Sequence, residues 1–382
     1  MRHSHILLVI DHLNGGGAAS QITILAQVLN RAGYKVTVFT YHEGEGPLYD
    51  TLADEKISVI THESKRKSKV FIVKNLRQLM MEKSVDCVVS FLTTPNFYAS
   101  LAALFSPKKV PVVVSERASI EQNSSKQARL FRWVYMRLAS MVVFNSHDNR
   151  QLALKAYASI SDKARTIYNA IDLPRFKQRP DFDERSCKET INVLSIATPR
   201  PSKNVMIVAK MLDRLKEEGR PLPIIFWAGP VDLDDEVRAH VRFVDEYLDS
   251  KGLSDHWNWL GKRNDLRDYI SEFDVLIHPS FAEGLPNAVC EALSCGLPVL
   301  ASDVCDHPLL VGSNKERGYL FNPSEVGSLT EMYNEFQSAS AQEMNEMRLS
   351  AIKFAEDQFS KEKYSRSYDA VISELLKKSE AR

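Results

Sequence analysis

The chain has 382 residues, 44% hydrophobic and 26% charged, with 49 Lys and Arg against 49 Asp and Glu. That length exceeds one ordinary core and suits two domains; the composition is that of a soluble globular protein, and the balanced charge offers no bulk field for nucleic acid. Five cysteines without C-x-x-C spacing argue against a disulfide framework or a zinc site, no run approaches the ~20 apolar residues of a membrane span, and the N-terminus MRHSHILLVID lacks the pattern of a signal peptide.

In chain order, His5 to Ile10 reads as a first strand, DHLNGGGAAS as a loop, Ser20 to Ala32 as a helix closed by Gly33, and Lys35 to Thr40 as a second strand. This is a βαβ opening. Gly15-Gly16-Gly17 contains G-x-G, but Ser20 stands where a dinucleotide fingerprint needs its third glycine, and no acidic residue clearly ends the second strand. The better reading is a loop whose missing side chains let backbone approach a ligand. Further strands are expected at Ser58 to Thr61, Cys87 to Ser90, Val112 to Ser115 and Met141 to Asn145, with helices between them. Such alternation predicts a doubly wound, mostly parallel sheet.

Three features of this first block carry charge. Glu116 and Arg117 follow a strand and read equally as cleft residues, Arg117 then being a candidate for phosphate contact, or as a salt-bridged strand end. Lys65-Arg66-Lys67-Ser68-Lys69 is basic, and the helix Lys126 to Arg137 interleaves Arg129, Arg132 and Arg137 with Phe131, Trp133 and Tyr135. Cations with interfacial aromatics suit peripheral contact with anionic lipid; the alternative is a solvated helix whose aromatics are core. His12, His147 and His307 have no partners at ligand spacing and are read as structural.

Tyr168 to Asp172 (YNAID) ends the block. Residues 173–190, charged and holding two prolines, are expected to form a linker. A second block restarts with a strand from Ile191 to Ala197 and continues through Ile224 to Ala228, Trp257 to Leu260, Val275 to Ile277, Leu297 to Ala301 and Gly318 to Phe321. Arg200 and Lys203 sit just after its first strand, where cations neutralise an anionic leaving group or are surface charges. Asp232-Leu233-Asp234-Asp235 invites a metal reading, but acids at a helix start need no metal. The expectation is a solvated helix N-terminus, with no metal site.

The stretch Phe273 to Asp303 holds the densest pattern. A loop with Gly284 and Pro286 leads into a helix from Asn287 to Cys295, capped by Gly296 and stopped by Pro298. Pro286 suits the first helical turn, whose free N–H groups favour an anion. Glu283 in the loop and Glu291 in the helix make sense beside that helix end if a phosphate occupies it and sugar hydroxyls donate to the carboxylates. Taken singly, each glutamate also reads as a solvated residue.

EGLPNAVCEALSCGLPVLASD resembles the signature of glycosyltransferase family 4, the retaining group 1 enzymes of the GT-B fold. The match lies in Glu283-Gly284, Pro286, Glu291-Ala292, Gly296 and Pro298-Val299, and YNAID resembles the family's interdomain segment. The resemblance implies two Rossmann-like domains facing a cleft: residues 1–172, joined by a returning helix over about 360–382, and residues 191–359. It implies that Glu283 faces the donor sugar, that Glu291 holds the ribose, and that the amides near Leu285, Pro286 and Asn287 hold the diphosphate. Gly16 and Gly17 match the family's Gly-Gly, although Ala19 replaces the glutamate that usually follows. Lys203 matches the family's lysine; the strict arginine position falls on Thr198, so Arg200 is a shifted substitute. Lys262 and Arg263 are assigned to the donor, Glu116 and Arg117 to the acceptor side. Ser115-Glu116-Arg117 is similar to relatives that act on lipid-linked saccharides. The activity implied is metal-independent retaining transfer from a nucleotide sugar, without a cofactor, in cytoplasmic assembly of bacterial surface polysaccharide (capsule or lipopolysaccharide), at the inner face of the membrane. The alternatives are a catalytically weak nucleotide-sugar-binding scaffold and a sugar-nucleotide epimerase.

Overall fold

The apolar runs at the strand positions are covered on both faces, as parallel strands flanked by helices must be. A computed structural model describes residues 4–62, 69–117, 125–175, 190–263, 265, 268 and 270–380. Its contacts divide the chain into two units, Met1–Ala170 with Lys361–Arg382, and Ile171–Ser360. Residues 65–68 of the basic stretch and 176–189 of the expected linker lie outside the described residues.

Unit 1 comprises β1 (His5–Val9), α1 (Gly17–Arg31), β2 (Lys35–Thr40), α2 (Pro47–Asp54), β3 (Ser58–Thr61), α3 (Lys69–Glu82), β4 (Cys87–Phe91), α4 (Thr93–Leu104), β5 (Val112–Glu116), α5 (Lys126–Leu138), β6 (Met141–Phe144), α6 (His147–Ala156) and β7 (Ala164–Thr166). The strands form one sheet, β3-β2-β1-β4-β5-β6-β7, parallel throughout. Chain order reverses direction between β1 and β4, which is where open α/β sheets bind ligands. Helix α1 starts at Gly17, three residues before the expected start at Ser20, because Gly16 adopts φ 92° as its N-cap, a conformation that favours glycine. The edge strand β7 was not expected. Its sequence, Ala-Arg-Thr, has one apolar residue, too little signal for a strand.

Unit 2 comprises β8 (Asn192–Ile196), α7 (Val205–Glu217), β9 (Ile224–Ala228), α8 (Asp235–Lys251), β10 (Trp257–Gly261), β11 (Val275–His278), α9 (Asn287–Cys295), β12 (Val299–Ser302), α10 (His307–Val311), β13 (Gly318–Phe321), α11 (Val326–Ser338) and α12 (Ala341–Phe359). Its sheet runs β10-β9-β8-β11-β12-β13, also parallel, and reverses between β8 and β11. Helix α9 ends at Gly296, whose φ is 71° and where a Cβ would stand 2.5 Å from Arg348 Cγ. Only glycine meets both demands. Asp234 caps α8, its Oδ1 accepting the Val237 N–H at 3.0 Å. The last helix, α13 (Lys361–Glu380), belongs to unit 1 and adds Tyr364, Tyr368, Val371, Ile372 and Leu375 to its core.

Helix α5 corrects one expectation. Ala128, Phe131, Arg132, Tyr135 and Met136 are all buried, a 3.6-residue stripe facing the core. Arg132 is therefore not a lipid-facing cation. Its Nε donates to Glu116 Oε2 at 3.0 Å with both side chains 1% exposed, and the Tyr135 hydroxyl donates to Glu116 Oε1. Breaking such a buried pair from one side strands a charge and costs about 3–5 kcal/mol. Arg132→Met is expected to lower unfolding stability by about that amount in a denaturant titration; a loss below ~1 kcal/mol, the range of surface pairs, would show that the pair does not hold α5 to β5.

Candidate active site

The reversal point of the unit 2 sheet gathers the residues singled out in the sequence. The loop after β8 carries Lys203, and the loop after β11 carries Glu283. The two are stitched together by the Phe281 N–H, which donates to the Ser202 carbonyl at 3.0 Å. Asn204 then turns into α7 with a left-handed φ of 53°, and its side-chain amide donates to the Pro323 carbonyl at 2.8 Å. This fixes where the preceding lysine stands.

Lys203 Nζ donates to Glu283 Oε1 at 2.6 Å, and His278 Nε2 approaches the same oxygen at 2.9 Å. The side chains are 22%, 12% and 4% exposed respectively, so the cluster is half-sheltered yet reachable. Burial pushes the Glu283 carboxyl up, but the hydrogen bond and charge of His278 and those of Lys203 outweigh it and hold it well below the usual carboxylate range. Glu283 is thus an anion with one oxygen engaged. Its backbone N–H meets Cys305 Sγ at 3.4 Å, which anchors the loop to the far side of the site.

Helix α9 starts immediately beyond. It spans the expected Asn287 to Cys295 with Pro286 as its N-cap, and the first intrahelical bond runs from the Cys290 N–H to the Pro286 carbonyl at 3.1 Å. The amides of the preceding turn have no intrahelical acceptor and carry the positive end of the helix dipole. Gly284 is partly exposed, Leu285 and Pro286 are buried, Asn287 is exposed, and Glu291 lies one turn into the helix, half-buried. Lys203, Glu283 and the start of α9 therefore come together.

Other residues stand apart. Arg200 is turned to Asp234 and Glu236, which bind it from both ends of its guanidinium. Asp232-Leu233-Asp234-Asp235 thus supplies a partner for Arg200 as well as a helix cap. Arg263 makes a bidentate pair with Asp265, at 2.8 and 2.7 Å, and Lys262 is exposed. Among the described residues no three His, Cys, Asp or Glu side chains cluster as a metal cage.

His278 is a residue that the sequence reading missed. It closes a strand and faces a glutamate five positions later, a juxtaposition that needs the turn of the loop to be seen. His307 supports it from behind. The rings stand edge to face with centroids 5.3 Å apart, and His307 Nδ1 donates to the Ser302 carbonyl at 2.7 Å.

In unit 1 the reversal point also holds a site. A cavity of about 690 Å³ is lined from the ends of β1, β2, β4 and β5 by Asp11, His42, Leu92, Thr93 and Arg117, among others. Leu92 has φ 77°, a strained conformation for a branched side chain, at the start of α4. Arg117 is locked by Asn169 Oδ1 at 2.6 Å and the Tyr364 hydroxyl at 2.8 Å, over the Phe91 ring at 4.0 Å. Glu116 adjoins this cavity, but its carboxylate is committed to Arg132 and Tyr135. Glu116 is thus a salt-bridged strand end that also borders the cavity. Gly16 and Gly17 stand at the start of α1, which follows β1.

Comparison with known proteins adds three kinds of finding. The family model described as Glycosyl transferases group 1 matches residues 190–336, and the one described as Glycosyltransferase Family 4 matches residues 15–175. A Campylobacter jejuni protein named N-acetylgalactosamine-N,N'-diacetylbacillosaminyl-diphospho-undecaprenol 4-alpha-N-acetylgalactosaminyltransferase is 25% identical over 272 residues, covering 69% of this chain and 68% of that one. The Staphylococcus aureus capsular polysaccharide biosynthesis glycosyltransferase CapH is 23% identical over 309 residues, covering 78% and 81%. Among solved structures, Anabaena HepE in complex with UDP and glucose superposes with a TM-score of 0.80 at 19% identity, covering 97% of this chain and all of that one. That likeness carries the GT-B fold.

His307 yields a pH prediction. Burial, then the neighbouring His278, push it down to about 3. The unfolded value is about 6.5, so below that pH the unfolded chain binds a proton that the folded chain refuses. Stability is full above pH ~6.5 and lost on acidification, by up to ~1.4 kcal/mol per pH unit. His307→Asn should be less stable at neutral pH, yet its stability should fall less steeply than wild type between pH 6.5 and 4.5. Parallel curves would show that His307 is not a buried neutral imidazole.

Proposed function

The chain belongs to the group 1, family 4 glycosyltransferases, and on that premise we propose that it moves a sugar from a nucleotide diphosphate donor to a hydroxyl of a saccharide or lipid-linked saccharide with retention at the anomeric carbon. The observation that carries the reading is the Lys203–Glu283–His278 cluster beside the start of α9, at the reversal point of the unit 2 sheet. A cation, a run of helix-end amides and a carboxylate held ionised are the groups that a sugar diphosphate requires.

In this reading the diphosphate is held by the amides at Leu285 and Asn287, with Pro286 shaping the turn between them, and by Lys203. The bond from the anomeric carbon to the diphosphate breaks, and its electrons go to the diphosphate oxygen. Charge grows there while the sugar becomes oxocarbenium-like. The acceptor oxygen bonds to that carbon on the face the diphosphate leaves, and its proton passes to the departing diphosphate. No protein nucleophile, metal or cofactor is needed. Glu283 accepts from sugar hydroxyls and opposes the growing positive charge; Glu291 takes the ribose. Arg200 reaches phosphate only by leaving Asp234 and Glu236, so Lys203 has the larger share. The unit 1 cavity receives the acceptor, with Arg117 in its wall. The name of the Campylobacter relative supports a diphospho-undecaprenol-linked acceptor, and that of the Staphylococcus relative supports capsular polysaccharide assembly; a place at the cytoplasmic face of the membrane is part of the proposal.

Kinetics in excess chelator test this. Glu283→Gln should lower kcat and kcat/KM together by roughly a hundred- to a thousandfold, as loss of a preorganised transition-state group costs ~3–4 kcal/mol. Glu291→Gln should chiefly raise donor KM, because a ribose contact is made equally in the ground and transition states. Activity that appears only with Mg²⁺ or Mn²⁺, or silence of both substitutions, would contradict the mechanism.

No helix among the described residues is long and apolar enough to cross a membrane. Peripheral contact falls to the outer side of α5, where Arg129, Leu130, Trp133 and Arg137 are exposed and Arg137 lies 4.4 Å over the Trp133 ring. Cations beside an interfacial indole favour anionic lipid. Flotation with anionic vesicles should retain wild type and release an Arg129→Glu/Arg137→Glu variant; equal recovery would remove α5 from the membrane contact.

A further inference from the structure

A second depression on unit 1 has the opposite character to the polar cavity. A groove of about 500 Å³ lies between α3 and α4. Its apolar lining is Val70, Val73, Phe97, Leu101 and Phe105. Val70 is 74% exposed and Phe105 61% exposed. Phe97 is backed by Phe131 of α5, stacked at 3.9 Å, so the floor is firmly packed.

Among the described residues of the lining, the charged ones are Lys69, Lys74 and Arg77, with no carboxylate among them. Arg77 Nε donates to the Phe105 carbonyl at 2.7 Å, which pins one end of the groove. Lys69 and Tyr98 line both this groove and the 690 Å³ cavity, so the two depressions adjoin at these side chains.

An exposed apolar channel with cations on its rim suits a ligand that is greasy along its length and anionic at one end. A saccharide would leave its hydroxyls unpaired against Val and Phe, and a hydrocarbon chain asks for no hydrogen bonds. The order along the surface is polar cavity, Lys69, apolar groove. A glycolipid has the same order: saccharide, phosphate, chain.

Resting on the reading that the acceptor is a lipid-linked saccharide, we propose that the α3–α4 groove receives the first isoprenoid units of a polyprenyl-diphosphate-linked acceptor, with its diphosphate at Lys69 and its saccharide in the adjoining cavity. The groove then selects lipid-linked over free saccharide. Each buried methylene strengthens binding about fourfold, so a few isoprenoid carbons suffice to dominate acceptor affinity.

The test is equilibrium binding to the full chain, which needs no turnover. The probes are a fluorescent long-chain polyprenyl diphosphate, citronellyl diphosphate and inorganic diphosphate. Wild type should bind the long chain at least about tenfold more tightly than the short one, a difference of ~1.4 kcal/mol, and inorganic diphosphate should displace it only at far higher concentration. Val70→Asp/Phe105→Asp alters two exposed positions, so a native-like melting curve is expected. It should erase the chain-length gain between the two polyprenyl probes. Lys74→Glu should weaken both polyprenyl probes. A gain that persists in the double variant, or no gain in wild type, overturns the proposal. So does a double variant that loses only its flotation with anionic vesicles, since the groove would then be a bilayer contact. Failure of every donor to support transfer would instead overturn the proposed reaction, because the binding result stands without it.

Discussion

A carboxylate half-sheltered from water, held ionised between a lysine and a histidine, is the interaction on which the functional half of this chain depends. Glu283 meets Lys203 at 2.6 Å and His278 at 2.9 Å. Both partners come from fixed points of the sheet, Lys203 from the loop after β8 and His278 from the end of β11. The arrangement exists because chain order reverses between those adjacent strands, which brings the loops after β8 and β11 together at one end of the sheet. A charge pair this sheltered is costly to form. Its persistence beside the positive end of the α9 dipole makes sense when a charged ligand is to share it.

Unit 1 repeats the topology with different chemistry. Its reversal point, between β1 and β4, opens onto a polar cavity, and Arg117 is set in that wall by Asn169 and by Tyr364 from α13. The Glu116–Arg132 pair lies directly behind. Two neighbouring residues at one strand end thus divide the work: Glu116 holds the scaffold, and Arg117 is presented to the cavity.

Much of this was legible in the sequence because buried parallel strands are written as continuous apolar runs, such as Val275 to Ile277, and because Gly284, Pro286 and Gly296 punctuate one helix. The strand Ala164–Thr166 was not legible, since an edge position asks for little hydrophobicity. Arg132 was misplaced by its charge. The stripe Ala128, Phe131, Arg132, Tyr135, Met136 would have turned it inward, had periodicity been given more weight than residue type. His278 and the α3–α4 groove depend on residues brought together by loops or by separate helices, and no local pattern announces them. Arg200 was expected near the diphosphate, and its engagement by Asp234 and Glu236 follows from a cap some thirty-four positions away.

The Lys203–Glu283–His278 cluster is proposed to form a nucleotide diphosphate site. Calorimetric titration of wild type and Lys203→Met with UDP, GDP, ADP and dTDP tests it directly. One of the four should bind wild type, and the substitution should weaken that nucleotide by about tenfold to a hundredfold, the worth of one charge-assisted hydrogen bond. Unchanged affinity in Lys203→Met would contradict the account.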